Sequence, residues 1–389
     1  MEESLRSNTK IIRVLHVIKT LSLGGAETNL LNLANTFNKK DIETHVAYSF
    51  GGEIEQQFRS ANVRLFKYAD KIHRVKSVAT IFIVLRLTIY IIKNRIDIVQ
   101  THNFNGHIWG LVAAKISGAK IIEHVHDFRY TNTQELTKRH GLLEQYKFIK
   151  FFKGFSDRIV VLTKSDKKFV LENNISTSEK VLEIQNGICI KNNKNYFFKN
   201  FRAYLGIKTS DVIVLTSARM DPSKNIDLIL RIAARVVQIA PNTIFVVAGN
   251  GAYLAEYQER CKKLGLLNSL RFIGFQQDIY SLLADADIFL LPSFLELHSI
   301  SILEALKMKI PVVVSEGVGC NDEFIENGEN GFLCDPFQDD SWIKTLSELS
   351  NNKILRYKVG KQGYETCKQL FNIKNTAKKF EEVYKKLIF

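Results

Sequence analysis

Pro292-Ser293-Phe294-Leu295-Glu296-Leu297-His298-Ser299-Ile300-Ser301-Ile302-Leu303-Glu304-Ala305-Leu306 follows the largely apolar run Asp287–Leu291, and its reading decides the fold. A continuous apolar run of this length reads as a strand buried on both faces, which belongs to a parallel sheet covered by helices. A helix opening near Ser299 and Ile300 brings its first N–H groups to the strand's carboxyl end, a seat for an anion such as a diphosphate. Glu296 falls in the loop at the strand end, and Glu304 a turn or more into the helix. A carboxylate at the second position can accept two hydrogen bonds from the cis-diol of a ribose, and hydroxyl donors suit a partly buried acid. A solvated helix position is the plainer account of Glu304. Its neighbours Ile302, Leu303, Ala305 and Leu306 disfavour full exposure.

The same strand-then-helix rhythm runs outward in both directions. In the first half, strands are predicted at Ile12–Ile18, Glu43–Tyr48, Ile96–Thr101, Lys120–His126 and Arg158–Leu162. Helical patterns lie between them at Ala26–Phe37, Val78–Lys93 and Gly106–Ser117. The second series has strands at Val212–Ser217, Ile244–Ala248, Leu270–Ile273, Asp287–Leu291 and Pro311–Ser315. Lys191–Asn200, with four Asn and three Lys, separates the two series as a linker. The expected fold is α/β, with two Rossmann-like doubly wound domains facing each other across a cleft. The domains are expected at 1–195 and 205–370, followed by a last segment at 371–389. In such sheets ligands bind beyond the carboxyl ends of the strands, so residues just after strands carry most weight.

Three further groups stand at such places. Gly24 and Gly25 open a helix after the first strand, where glycines let backbone amides approach a ligand and the helix N-terminus favours negative charge. A tight strand-to-helix turn needs glycine equally, and no GxGxxG follows that strand. Gly249-Asn250-Gly251 forms a second such pair. Arg219 and Lys224 follow Val212–Ser217, and from one loop they can clamp two phosphates, unless both are ordinary surface cations. Asp285-Ala286-Asp287 imitates an Asp-x-Asp metal site but falls where a helix end leads into a buried strand. His124 and His126 share one strand face with no third ligand near in sequence, so no metal is expected.

Composition narrows the class. The chain has 389 residues, 46% of them hydrophobic, enough for a core in each of two domains. The five cysteines form no CxxC, which argues against a disulfide framework or zinc site and fits a reducing cytoplasm. The polar, charged start predicts no signal peptide. The longest apolar run, Val78–Ile92, is shorter than a bilayer span and contains Arg86, so it reads as a buried or surface-docking helix. Residues 1–200 hold 31 Lys and Arg against 18 Asp and Glu, which is +13 of the chain's +14. Such asymmetry points to an anionic partner, nucleic acid or an acidic membrane. No nucleic-acid motif is present and the basic residues are dispersed, so no nucleic-acid partner is expected. Phe148, Phe151, Phe152 and Phe155 repeat at helical spacing among Lys147, Lys150 and Lys153. That helix would either pack on the domain's own sheet or lie in an anionic membrane interface.

The chain resembles the retaining glycosyltransferases of family 4, of GT-B fold, nearly end to end. The resemblance rests on Gly24-Gly25-Ala26-Glu27, Thr101-His102, His124-Val125-His126-Asp127, Ser156-Asp157-Arg158, Asn186-Gly187, Arg219 with Lys224, Gly249-Asn250-Gly251, and Glu296 to Glu304. It implies Arg219 and Lys224 on the donor diphosphate, Glu304 on the ribose, Glu296 beside the transferred sugar, and His126 near the sugar from the opposite wall. It also implies that Lys374–Phe389 crosses back onto the first domain. The chain departs from the family at Leu297 and His298, where glycine and an aromatic are common, and at Asn225, which can still serve as an N-cap. A cytoplasmic transferase follows, peripheral on the inner face of the plasma membrane. It would take a nucleotide-diphosphate sugar as co-substrate and a saccharide or lipid-linked acceptor, with no metal or other cofactor, in polysaccharide or glycolipid assembly. A same-fold epimerase and a non-catalytic sugar-nucleotide sensor are the alternatives.

Overall fold

A computed structural model describes residues 10–69, 77–102, 104–126, 154–190 and 200–389. The chain divides into two units, residues 1–187 with 373–389, and residues 188–372. Each is an α/β unit built on one parallel sheet.

The first sheet contains β1 (Ile12–Val17), β2 (Ile42–Tyr48), β3 (Arg64–Lys67), β4 (Ile98–His102), β5 (Lys120–His124), β6 (Arg158–Val161) and β7 (Val181–Glu183). They lie in the order β3-β2-β1-β4-β5-β6-β7. The order reverses between β1 and β4, so this is the switch point where a parallel sheet opens a crevice. β1 is paired along both sides and reads Ile-Arg-Val-Leu-His-Val, nearly all of it buried. Helix Ile373–Ile388 completes this unit. Its Ile373, Ala377, Phe380 and Tyr384 pack with Ile12, Val14, Ile98 and Ile122 of the sheet.

The second sheet contains β8 (Val212–Ser217), β9 (Thr243–Ala248), β10 (Leu270–Gly274), β11 (Ile288–Leu291), β12 (Val312–Ser315) and β13 (Phe332–Cys334), in the order β10-β9-β8-β11-β12-β13. Its switch point lies between β8 and β11. Two cores cover the faces of this sheet. One forms around Ile226, Ile229, Ala233 and Trp342, the other around Phe289, Leu303 and Phe371. Every strand expected from the sequence is present, with ends that differ by one or two residues. β5 stops at His124, so His126 lies just past the strand end and not on a shared strand face. Lys191–Lys199, Asp127 and the Tyr146–Lys153 part of the Phe–Lys segment lie outside the described residues. Phe155 is described and is not helical. Its ring receives Lys115 Nζ at 5.7 Å.

Candidate functional site

The turn after β11 leads into a helix where its sequence suggests one. Ser299 is the N-cap of helix Ile300–Lys307, and its side chain does not cap; its hydroxyl lies 3.0 Å from that of Ser301. The first turn's amides are therefore not closed off by the capping side chain, as an anion site requires. Leu295, Leu297 and His298 turn inward and are buried. His298 packs against Phe371 and Phe324, and burial lowers its pKa to about 3. Leu297 and His298, two of the departures from the family pattern, are thus core residues that anchor the loop from below. Gly319 admits this anchoring, since a Cβ there would stand 2.4 Å from the Leu297 carbonyl oxygen.

Glu296 and Lys224 meet. Lys224 Nζ lies 2.6 Å from Glu296 Oε1, and the two side chains are only 13% and 14% exposed. The same carboxylate oxygen accepts from Ser293 Oγ at 3.1 Å. Each residue arrives from a different strand of the switch point, Lys224 after β8 and Glu296 after β11. Asp221 sets the Lys224 turn: its carboxylate accepts from Ser223 N at 3.0 Å and begins the short 3-10 turn Pro222–Lys224. Arg219 stands on the same loop, 77% exposed, with Nε 3.2 Å from Asp221 Oδ2. It is held loosely enough in solvent to turn toward an incoming anion. Asn225 holds the N-cap position of helix Ile226–Ile239, but with φ 53 and without a side-chain cap. Its amide donates instead to the Pro336 carbonyl, which corrects the expected capping role.

Glu304 projects from the second turn of helix Ile300–Lys307 and is half-buried. Burial pushes its carboxyl up to about 7, with Lys307 opposing that shift. Gly249 directly follows β9 at φ +142, where a Cβ would fall 1.8 Å from the Ala218 carbonyl oxygen. Its N–H donates to Gly274 O at 2.8 Å. This backbone has room only for glycine, so Gly249→Ala should destabilise the second unit by at least about 3 kcal/mol in denaturant titrations. Asp285 and Asp287 are committed elsewhere. Asp287 Oδ2 lies 2.5 Å from Arg202 Nη2 and accepts from Ile213 N, while Asp285 accepts from Arg202 N.

In the first unit, Gly24 is the N-cap of helix Gly25–Thr36 in an ordinary extended conformation. A Cβ there would stand 2.5 Å from Glu27 Oε2, so glycine makes room for a side chain and not for a special φ. His126 belongs to a series of imidazoles whose other members, His16 and His102, the sequence reading did not connect to it. His16 Nδ1 lies 3.0 Å from His102 Nε2, and His102 Nδ1 lies 3.1 Å from His126 Nε2. Burial lowers the His16 pKa to about 3, so that ring carries one proton. His16 Nε2 is buried without a hydrogen-bond partner. In each of the two ring-to-ring contacts one ring nitrogen donates and the other accepts. His124 stands beside them, with Nδ1 3.0 Å from Gln100 Nε2, while Tyr384 Oη donates to Gln100 Oε1 at 2.6 Å. His102, His124 and His126 each offer a ring nitrogen within 4.8 Å of the others, close enough for a cation. Three neighbouring strands put these rings together: His16 on β1, His102 ending β4 and His124 ending β5.

Comparison with known proteins follows the same division. Residues 23–191 match Glycosyltransferase Family 4, and residues 197–366 match Glycosyl transferases group 1. The chain is 24% identical to an Escherichia coli UDP-Gal:alpha-D-GlcNAc-diphosphoundecaprenol alpha-1,3-galactosyltransferase, covering 98% of each chain. It is also 24% identical to a Campylobacter jejuni alpha-1,4-N-acetyl-D-galactosaminyltransferase whose named substrate is an undecaprenol-linked saccharide, over 92% of this chain and 94% of the relative. Anabaena HepE, solved in complex with UDP and glucose, shares the fold with a TM-score of 0.81 at 19% identity, over 96% of this chain and all of HepE. The fold is that of the GT-B glycosyltransferases. With one such domain in each half, the chain is a glycosyltransferase in which a Glycosyltransferase Family 4 domain precedes a Glycosyl transferases group 1 domain.

Proposed function

We propose that this glycosyltransferase moves a hexose-type sugar from a uridine-diphosphate donor onto a lipid-linked saccharide, with retention of configuration, in cell-surface polysaccharide assembly. The observation that carries the reading is the Lys224–Glu296 pair at the β8/β11 switch point, with Glu304 in the second turn of the helix that follows Glu296. In this reading Lys224, Arg219 and the amides at Ser299 and Ile300 receive the diphosphate, with Gly249 shaping the adjoining strand end. Glu304 takes the ribose hydroxyls, and Glu296 faces the transferred sugar. His126, held by His102, serves the sugar, and Gly24 and Gly25 serve the phosphate or acceptor. Uridine and a polyprenyl-diphosphate acceptor are supported by the named substrates of the Escherichia coli relative. Such an acceptor calls for work at a membrane, which supports a peripheral position on the inner face of the plasma membrane.

With two cations and a helix N-terminus for the leaving diphosphate, the reaction should proceed without a divalent ion. The test incubates the protein with a panel of UDP-sugars, with and without a short-chain polyprenyl-diphosphate saccharide. Transfer should need the acceptor, survive EDTA, and give a product with the donor's anomeric configuration by NMR. Interconversion of donors without acceptor would make the protein an epimerase. Activity lost to EDTA and restored by manganese would overturn the metal-free reading.

A further inference from the structure

Helix Ser77–Lys93 presents two apolar faces. Ile83, Leu87 and Ile91 enter the core against Leu15, Val17 and Val99. Ile81, Phe82, Leu85, Ile89 and Ile92 face the other way and are each between 51% and 67% exposed. At 100° per residue these five fall within about 100° of arc, a continuous stripe and not scattered surface residues. Arg86 and Lys93, both exposed, follow along one edge of that stripe. Arg86 is steadied there by the Phe66 ring at 5.8 Å and by donating to the Lys67 carbonyl at 3.1 Å.

What covers the stripe follows from charge. From Lys71 to Ile96 the sequence holds six Lys and Arg and no Asp or Glu. A protein partner would have to bring both an apolar groove and an acidic rim, whereas an anionic bilayer supplies both at once. The helix cannot cross that bilayer: its 17 residues span about 26 Å against about 30 Å of hydrocarbon, and one face is already committed to the core.

We propose that the outer face of helix Ser77–Lys93 lies in the interface of an anionic membrane. Ile81, Phe82, Leu85, Ile89 and Ile92 enter the acyl boundary, and Arg86 and Lys93 rest among the headgroups. The proposal deepens the lipid-linked acceptor reading, since the helix brings the first unit to the surface where such an acceptor resides. Vesicle binding itself is independent of transfer.

The experiment uses the full chain with vesicles of equal parts phosphatidylglycerol and phosphatidylcholine. Wild type should sediment with them at low salt and be largely released at high salt. Leu85→Ser combined with Ile89→Ser should lower the partition coefficient at least about tenfold, with an unchanged thermal melt because both positions are exposed. Phe82→Trp should shift its emission to the blue on vesicle addition. Equal sedimentation of the double variant and wild type would overturn the assignment, as would equal binding to vesicles of phosphatidylcholine alone. Self-association of wild type that the double variant loses, without vesicle binding, would assign the face to a second copy and overturn it too. Transfer to a water-soluble acceptor should be the same in both proteins. Failure of that transfer in wild type would remove the acceptor reading and leave the vesicle result standing.

Discussion

Glu296→Gln is expected to lower turnover about 100-fold, roughly 2.7 kcal/mol on the transition-state scale, while nucleotide affinity holds or improves. The split comes from the Lys224 contact. At 2.6 Å in a site where neither side chain is more than 14% exposed, Glu296 competes with a diphosphate for the same ammonium. The isosteric amide keeps the Ser293 hydrogen bond but gives up the charge, so Lys224 is freed for the donor. Turnover suffers because the sugar passes through an oxocarbenium-like state, whose positive charge a fixed carboxylate stabilises. Lys224→Ala should behave oppositely. It removes a charge-assisted contact worth about 1.5–3 kcal/mol and leaves Glu296 facing the phosphates uncompensated. Calorimetry with UDP and steady-state turnover separate these outcomes. If Glu296→Gln reduces affinity and turnover together, or leaves turnover within about twofold, Glu296 is a structural partner of Lys224 and nothing more.

How much of this was legible depends on burial. β1, β4, β8 and β11 lie inside their sheets, so both faces are covered and each reads as an apolar run. The strands the sequence reading missed are β3, β7 and β13, and each is an edge strand of three or four residues. An edge strand with one neighbour needs neither length nor continuous apolarity, and Arg-Leu-Phe-Lys at β3 shows neither. The site followed the same rule. Glu296, Glu304, Lys224 and Gly249 follow strands that were legible, so their positions were too. Their pairing was not, because Lys224 and Glu296 stand 72 residues apart and meet only through the strand order β8-β11. His16 was hidden for another reason. Within an apolar strand a lone histidine reads as core, and only the parallel register beside β4 brings it to His102. The outer face of helix Ser77–Lys93 was half legible: its apolar length was plain, but periodicity does not tell two apolar faces from one buried all round.

Nucleotide affinity is expected to rise with pH up to about 7 and then level off, by as much as tenfold per pH unit below that point. The cause is Glu304, whose carboxyl burial pushes up to about 7 from an ordinary 4.5. In the empty site the folded protein therefore holds this proton more tightly than the unfolded chain does. Its contribution to stability is full below about pH 4.5 and is lost as pH rises through 7. Ribose hydroxyls reverse the balance, since donors aimed at a carboxylate favour its ionised form. Binding must then release a proton wherever the empty site is protonated, and protons compete with nucleotide across the window from 4.5 to 7. Glu304→Gln removes the titration: its affinity should be weaker than wild type at pH 8 and nearly flat through the window. The same variant, without ligand, should be the more stable of the two at pH 8, because no buried carboxylate has to ionise. Titration calorimetry in buffers of different ionisation enthalpy counts the released proton directly. A wild-type affinity that is flat between pH 5 and 8, or a slope that survives in Glu304→Gln, would take the ribose contact away from Glu304 and leave the phosphate site at Lys224 to be judged separately.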